Sequence, residues 1–324
     1  MKPLFDISKN YYYIIDTSFI VFCVAASSFK EYVFSQDIPK SSLGPDFDPT
    51  VDPEYLEILR TRFKNKITTP IKKMCPFSYD SSKFIFAKDC ARHKIWRRDF
   101  YPEYKLQRDT ADHSKDEFDI GKVFAYAYTN LIPNFCEETG SIIVDCACAE
   151  ADDIIGVLSK KISQDDPNNI VIILSSDRDM VQLCQENVII ISNNDEVREP
   201  TKELKTLTKT EITEDMDAAD FTLFKILIGD AADNIPPVKR GIGPKRAIEY
   251  VKDREKLKAL LNEDVNILKS FKRNRDLISM NEIPKNIASL IIENFNEARA
   301  KRDEEGTSRE DSSMKIEGLE DLLN

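Results

Sequence analysis

Acidic side chains follow the apolar segments of this sequence at the points where those segments end. Asp16 comes directly after residues 11–15, and Asp89 lies two positions beyond residues 84–87. Like charges that are crowded together raise one another's pKa values unless cations bind between them. If the segments place their ends together, these carboxylates therefore indicate a metal site. The other carboxylates of this kind are Glu150, Asp152, Asp153, Asp177 and Asp179.

Each of these acidic groups also has an ordinary structural explanation. Carboxylates in the first turn of a helix complement the helix dipole, which would account for Glu150, Asp152 and Asp153. A single aspartate after a strand is a common turn residue. The metal interpretation depends on the whole set, which includes a further pair, Asp230 and Asp233, three positions apart after an apolar helix.

The chemistry that suits such a set is phosphodiester hydrolysis. Oxygen ligands favour the hard cations Mg²⁺ or Mn²⁺, and the chain has only two histidines and no CxxC motif, which argues against zinc. Two ions about 4 Å apart would activate water and stabilise the leaving oxygen. Without the nine candidate carboxylates the net charge would be −2 instead of −11, so the expected metal site accounts for most of the acidity of the protein.

The predicted elements that would position these groups indicate an α/β fold. Apolar runs without alternation are typical of strands covered on both faces, and helical stretches lie between them. This order predicts a doubly wound, mostly parallel sheet, in which ligands bind beyond the carboxyl ends of the strands. The runs are residues 11–15, 84–87, 142–144, 170–174 and 188–191.

The 324 residues exceed one average domain, and the strand pattern stops near residue 193. We predict an α/β domain over 1–195, a helical domain over 196–300 and a charged, disordered tail over 301–324. No apolar run approaches the roughly 20 residues of a membrane span. The seven scattered cysteines favour a reducing, cytoplasmic compartment.

Basic residues are concentrated in places despite the acidic total. Residues 92–108 hold six Lys and Arg with aromatic side chains between them, a pattern typical of grooves that hold single strands. The alternative is a solvated helix face with partly buried aromatics. The candidates for DNA contact in this segment are Lys94, Arg97, Arg98 and Tyr104.

A glycine turn near residue 241 opens another basic segment. Gly241 and Gly243 precede Lys245 and Arg246 at the predicted start of a helix, where backbone N–H groups can bind a phosphate. Turns of the form Gly-x-Gly are common, so this motif is weak when it is taken alone.

Seven motifs in order resemble the flap endonuclease and 5′-nuclease family of structure-specific metal nucleases, in particular its T-even bacteriophage members. The likeness extends from Tyr13 to about Asn296. The motifs are Ile-Ile-Asp16, Asp89 with Trp96-Arg-Arg-Asp-Phe100 and Tyr104-Lys105-x-x-Arg108, Glu150-Ala-Asp-Asp153, Ser175-Ser-Asp177-Arg-Asp179, Gly229-Asp230-x-x-Asp233-Asn-Ile-Pro, Gly241-Ile-Gly243-Pro-Lys245-x-Ala247, and Asn274-Arg-x-Leu-Ile-Ser-Met-x-Glu-Ile-Pro284.

The resemblance implies a PIN-like nuclease core, a basic arch at about 92–120 and a helix-three-turn-helix at about 235–250, the latter with a K⁺ ion in its turn. Lys105 and Arg108 would contact the scissile phosphate. The first of two Mg²⁺ or Mn²⁺ ions would be served by Asp16, Asp89, Glu150, Asp152 and Asp153, and the second by Asp177, Asp179, Asp230 and Asp233.

The activity implied is Mg²⁺-dependent 5′–3′ exonuclease and flap endonuclease cleavage of DNA with 5′ flaps or nicks and of RNA–DNA primers. We expect a monomeric phage or viral protein. Its tail, with Ile316, Leu319, Leu322 and Leu323, would meet a replication partner such as a clamp or a single-strand-binding protein. The alternatives are an RNA-directed nuclease of PIN type and a DNA-binding protein without catalysis.

Overall fold

A five-stranded parallel sheet lies at the centre of the computed structural model, which describes Asp6, residues 8–74, Asp80 and residues 83–110, 114–192 and 195–320, with side chains through 304. The strand order is β3-β2-β1-β4-β5, so the predicted doubly wound parallel sheet is confirmed. The strands are β1 Asn10–Asp16, β2 Phe84–Lys88, β3 Ile142–Asp145, β4 Asn169–Leu174 and β5 Val188–Ile191.

Strand register brings the carboxyl ends of the central strands level with one another. Asp16 of β1 pairs with Ala87 of β2, and Ile15 of β1 pairs with Leu174 of β4. The chain adds β2 and β3 on one side of β1 and then β4 and β5 on its other side, so the strand order reverses between β1 and β4. Open α/β sheets bind ligands at such a point. The residues that follow these three strands therefore share one edge of the sheet.

Helices cover both faces of the sheet, which explains why the strands are apolar throughout. Tyr13 and Ile15 pack against helices on one face, whereas Ile14 packs against the other. The helices of this region are α1 Thr17–Ser35, α2 Pro53–Met74, α3 Trp96–Phe100, α4 Ile120–Tyr126, α5 Ile132–Thr139 and α6 Ala151–Asp165.

Helix α1 corrects one expectation about apolar length. It has 19 residues and a mean hydropathy of 1.3, so by length and composition it could cross a membrane. Serines and a lysine interrupt the apolar sequence of this helix, so no single uninterrupted run spans it. Ile20, Val24 and Phe29 of this helix are buried in the core beside α2 and the sheet, and this packing accounts for its apolar character.

In the described part of the chain, six further α-helices follow the last strand, and no residue beyond Ile191 belongs to a strand. Phe221, Phe224 and Leu277 form the centre of their core, which also takes in Ile95 and Tyr104 from the arch segment. The helices are α7 Pro200–Thr208, α8 Ala218–Ile228, α9 Pro244–Lys252, α10 Arg254–Glu263, α11 Val265–Ile278 and α12 Lys285–Glu320.

The last helix differs from the predicted organisation in two ways. Ile287, Ile291 and Phe295 return to the α/β core and pack beside α6, although they fall in the segment assigned to the helical domain. The backbone also remains helical from Lys285 to Glu320, where a disordered tail was expected from residue 301. Residues 301–320 lack proline, and nine of them are Lys, Arg or Glu, which propagate a helix. Residues 321–324 lie outside the described part.

Candidate active site

Eight of the nine predicted carboxylates line one cleft at the carboxyl edge of the sheet. The cleft has a volume of about 1190 Å³. Its acidic residues come from the ends of β1, β2 and β4, the start of α6 and the turn after α8, so they are brought together only by the fold. They are Asp16, Asp89, Glu150, Asp152, Asp177, Asp179, Asp230 and Asp233.

Hydrogen bonds from neutral groups hold the two aspartates that follow β1 and β2. Asp16 caps α1, since its Oδ1 accepts from the Phe19 N–H at 3.1 Å, and its Oδ2 accepts from Ser175 Oγ at 2.8 Å. Asp89 Oδ1 accepts from the N–H of Ala151 at the start of α6, at 2.8 Å. These residues are thus helix caps and cleft carboxylates at once.

Burial and mutual repulsion make it unfavourable for all the carboxylates of the cleft to be ionised at once. Burial raises the pKa of Asp16 to about 7, and the charges of Asp89 and Asp177 add to the effect. Burial together with Asp177 raises the pKa of Asp179 to about 6, and the same two causes raise the pKa of Asp152 well above its ordinary value. Groups with these properties take up either protons or cations.

Two predicted cations, Lys105 and Arg108, already lie among the carboxylates. Lys105 Nζ is 2.5 Å from Glu150 Oε1 and 3.6 Å from Asp233 Oδ2, and Arg108 Nη2 is 2.9 Å from Asp233 Oδ1. Burial alone would raise the pKa of Glu150, but Lys105 and Arg97 together hold it below its ordinary value. Lys105 is itself buried, at a positive φ of 53°.

A third cation in the cleft, Lys225, was not predicted. Its Nζ is 2.8 Å from Asp179 Oδ1 and 2.7 Å from Asp230 Oδ2. These two carboxylates outweigh burial, which alone would lower the pKa of Lys225, and raise it above its ordinary value. A single lysine within the apolar sequence Phe-Thr-Leu-Phe-Lys-Ile-Leu-Ile was the available sign, because an unpaired buried lysine is rare.

Asp153 does not lie in the cleft, contrary to the prediction. The two Arg97 guanidinium nitrogens donate to its carboxylate at 3.0 and 2.8 Å, and Trp96 Nε1 and the Glu150 N–H each donate at 3.0 Å. The side chain is fully buried and occupies the third position of the α6 capping box. Asp153 is therefore a structural partner of the arch segment.

Arg97 and Tyr104 are also not at a DNA-facing surface. Both are buried, and Arg97 Nε donates to the Leu277 carbonyl at 2.8 Å. The Tyr104 hydroxyl donates to Glu150 Oε2 at 2.9 Å and lies 3.1 Å from Asp233 Oδ2. The pattern of cations and aromatics in this segment thus reflects packing between the arch and the helical region as well as any contact with a strand.

The remaining arch candidates are more accessible. Lys94 is exposed. Arg98 is partly exposed and braces the turn, donating to the Tyr104 carbonyl at 3.1 Å and to Asp109 at 2.8 Å. Phe100 is 51% exposed, which is unusual for so large an apolar side chain.

The glycine turn has the local structure that the sequence indicates. Gly241 has a φ of 89°, which a residue with a Cβ rarely adopts, and Gly243 caps α9. Lys245 and Arg246 are exposed in the first turn of that helix. Arg246 Nη1 also donates to the Gly241 carbonyl at 3.3 Å, so its guanidinium covers one oxygen of the turn.

The cleft is suited to metal ions without holding a finished coordination site. Among the residues with described side chains, no three His, Cys or carboxylate groups are placed so that they could hold an ion as they stand. One buried oxygen, Asp179 Oδ1, has no hydrogen bond, because Lys225 approaches it at an ion-pair distance without hydrogen-bond geometry. An all-oxygen donor set that already draws one cation, Lys225, to Asp179 fits a hard metal ion.

Sequence comparison identifies related proteins. A family model described as the N-terminal, resolvase-like domain of 5′–3′ exonucleases matches residues 61–217. Ribonuclease H of enterobacteria phage T4 is 30% identical over 254 residues, which cover 74% of this chain and 78% of that protein. A Buchnera aphidicola 5′–3′ exonuclease is 29% identical over 187 residues, covering 57% of this chain and 58% of that protein. DNA polymerase I of Streptococcus pneumoniae is 28% identical over 206 residues, which cover 63% of this chain but only 21% of the polymerase.

Solved structures show the same fold. The bacteriophage T5 flap endonuclease, determined as a complex with DNA and metal ions, has a TM-score of 0.60 at 15% identity, covering 90% of this chain and 100% of that one. The T5 5′-exonuclease with bound zinc gives 0.60 at 17% identity, covering the same shares. At these identities the likeness establishes the fold, and the phage T4 relative, most of whose length this chain covers, establishes the family. The chain is a nuclease of the 5′–3′ exonuclease and flap endonuclease family.

Proposed function

We propose that this enzyme is a Mg²⁺-dependent 5′–3′ exonuclease and flap endonuclease that acts on branched or nicked DNA and on RNA–DNA primers in replication and repair. The observation that supports it most strongly is the convergence of eight carboxylates in one open cleft. The names of the relatives agree, since they include a ribonuclease H, a 5′–3′ exonuclease and a flap endonuclease bound to DNA.

The cleft carboxylates divide into two candidate ligand sets by their position along the sheet. We assign Asp16, Asp89, Glu150 and Asp152 to one ion, and Asp177, Asp179, Asp230 and Asp233 to the other, while Asp153 is removed from the first set because its oxygens are taken by Arg97 and Trp96. Two bound Mg²⁺ or Mn²⁺ ions would activate water and stabilise the leaving oxygen.

Lys105 and Arg108 are proposed to bind the scissile phosphate. Lys105 is fixed by Glu150, whereas Arg108 is 45% exposed beside Asp233 and so is more accessible to a strand entering the cleft. Fixed positive charge beside a reacting phosphate stabilises the negative charge that develops there. Both cations now pair with carboxylates, which reduces the repulsion within the cleft before a strand binds.

The turn at Gly241 and the start of α9 are proposed to grip duplex backbone in a helix-three-turn-helix. Lys245 and Arg246 are exposed at a helix N-terminus, and exposed N–H groups and cations there suit a phosphate. A K⁺ ion in this turn would have to share the Gly241 carbonyl with Arg246. We further propose Lys94 and Arg98 as strand contacts of the arch.

The division into an α/β domain over 1–195 and a helical domain over 196–300 also stays a proposal, qualified by the return of α12 to the α/β core. We propose that the enzyme acts as a monomer in the host cytoplasm. A clamp or a single-strand-binding protein would bind Ile316, Leu319 and the residues after them.

The test uses two matched DNA substrates, one with a 5′ flap and one with a 3′ flap, each labelled on the flap strand. We expect cleavage of the 5′ flap with Mg²⁺, none with EDTA, and little on the 3′ flap. A parallel reaction with single-stranded RNA of equal length tests the RNA-directed alternative. Cleavage in EDTA, or equal cleavage of both flaps, would refute the proposed activity.

A further inference from the structure

Helix α8 carries a buried cation, Lys225, that lies between two carboxylates of the cleft. Lys225 lies three residues before the end of this largely apolar helix, and its side chain is only 12% exposed. Its Nζ lies between Asp179, which follows β4, and Asp230, which follows α8. The ammonium group therefore joins carboxylates from two separate elements.

In the first ligand set Lys105 pairs with Glu150, but Asp16 and Asp89 of that set are held differently from Asp179 and Asp230 of the second set. Asp16 and Asp89 accept hydrogen bonds from the uncharged groups of Ser175, Phe19 and Ala151. Asp179 and Asp230 instead face the full charge of Lys225. A neutral donor leaves a carboxylate its charge, whereas a neighbouring ammonium offsets that charge and opposes the approach of a second cation.

The pairing is strong in charge but incomplete in hydrogen bonding. Lys225 donates to Asp230 Oδ2 at 2.7 Å. Asp179 Oδ1, at 2.8 Å, lacks hydrogen-bond geometry to this or any other described donor. A divalent ion that bound Asp179 would have to displace the ammonium from this contact, so the two cations would compete for the same oxygen.

We propose that Lys225 is a positioning residue that holds Asp179 and Asp230 together and competes with a divalent ion for them. The inference rests on the proposed two-metal function and concerns the second ligand set. It follows that the charge of Lys225 weakens the binding of the ion at Asp179 and Asp230, which we expect to be the weaker of the two ions.

The test is a calorimetric titration in which Mn²⁺ is added to the metal-free protein. This measurement reports metal binding and does not depend on cleavage. Lys225→Met keeps the length of the side chain and removes its charge. A nearby charge shifts an ionisation by about 1–3 pKa units, so we expect the weaker Mn²⁺ step to tighten by about tenfold or more. Lys225→Arg, which retains the charge, should leave that step weak.

Lys161→Met is the matched control. Lys161 pairs with Asp165 at 2.8 Å on α6 and does not line the cleft, so its loss changes the net charge equally. Both Mn²⁺ steps should stay as in the wild type. An effect of Lys161→Met equal to that of Lys225→Met would mean that total charge matters and would overturn the inference.

A melting experiment covers the case in which metal-free Lys225→Met folds poorly. Two carboxylates without their cation should lower its Tm, and saturating Mn²⁺ should raise the Tm of this variant by more than that of the wild type. A lowered Tm with the same Mn²⁺ increment as the wild type would show a structural role alone and would contradict the competition.

Failure of this inference can be told apart from failure of the proposed function. If the wild type binds Mn²⁺ and cleaves a flap, but Lys225→Met leaves the weaker step unchanged, only the role of Lys225 is refuted. If the wild type neither binds Mn²⁺ nor cleaves, both proposals are refuted.

Discussion

At the scale of single residues, the acidic motif on α6 contains two neighbouring aspartates with opposite environments. Asp152 lines the cleft, where burial and Asp177 raise its pKa well above the ordinary value. Asp153 is buried against Arg97 and accepts four hydrogen bonds. The sequence marks both as acids at a helix start, and only the packing of the arch segment against α6 separates their roles.

This contrast predicts opposite effects of the same substitution at adjacent positions. Asp153→Asn removes one charge of a buried ion pair, which should lower the free energy of unfolding by about 3–5 kcal/mol. Asp152→Asn removes a repelled carboxylate, so the metal-free stability should be unchanged or higher, while cleavage is lost. Urea unfolding without metal measures both, and equal destabilisation by the two variants would contradict these assignments.

Lys105 provides a second prediction at this scale. Lys105→Ala should lower the single-turnover rate at saturating substrate by about 10² or more, the size expected for one lost charge contact in the transition state. Lys122→Ala is the control, because Lys122 is an exposed cation of α4 that is not among the proposed strand contacts. A rate within twofold of the wild type for Lys105→Ala would exclude this residue from the chemistry.

At the scale of elements, the strands and the doubly wound order were predictable, because apolar runs and their spacing are local properties of the chain. The return of α12 to the sheet was not predictable, since Ile291 meets residues such as Ile154 that are far away in sequence. The same holds for Arg97, whose partner Leu277 is 180 positions later. Lys225 was missed because its two carboxylates lie on other elements.

The turn and helix at residues 241–252 belong to this scale and give a prediction about salt. If Lys245 and Arg246 neutralise duplex phosphates, replacing both with alanine should reduce the slope of log affinity against log salt by up to about 1.8. The effect should appear on a flap with duplex arms and not on a single strand of equal length. Equal losses on both substrates would show that this element is not the duplex grip.

At the scale of the whole molecule, a net charge of −11 is compatible with a nucleic-acid substrate because acidic and basic side chains lie on different parts of the surface. The carboxylates are gathered at the carboxyl edge of the sheet, while exposed cations such as Lys94, Lys245 and Arg246 lie on neighbouring segments. A cleft of this charge repels phosphate unless cations bind first. Metal loading should therefore precede productive entry of the strand.

The most direct test of this account compares wild type with Asp177→Asn on a 5′-flap substrate. Cleavage is measured in single turnover with Mg²⁺, and binding is measured separately with Ca²⁺. Asp177 contributes to the cleft and not to the basic surfaces, so we predict loss of cleavage by at least about 10³-fold with binding within a few-fold of the wild type. Cleavage that survives, or binding lost as completely as cleavage, would contradict the assignment of the carboxylate cleft as the metal-dependent active site.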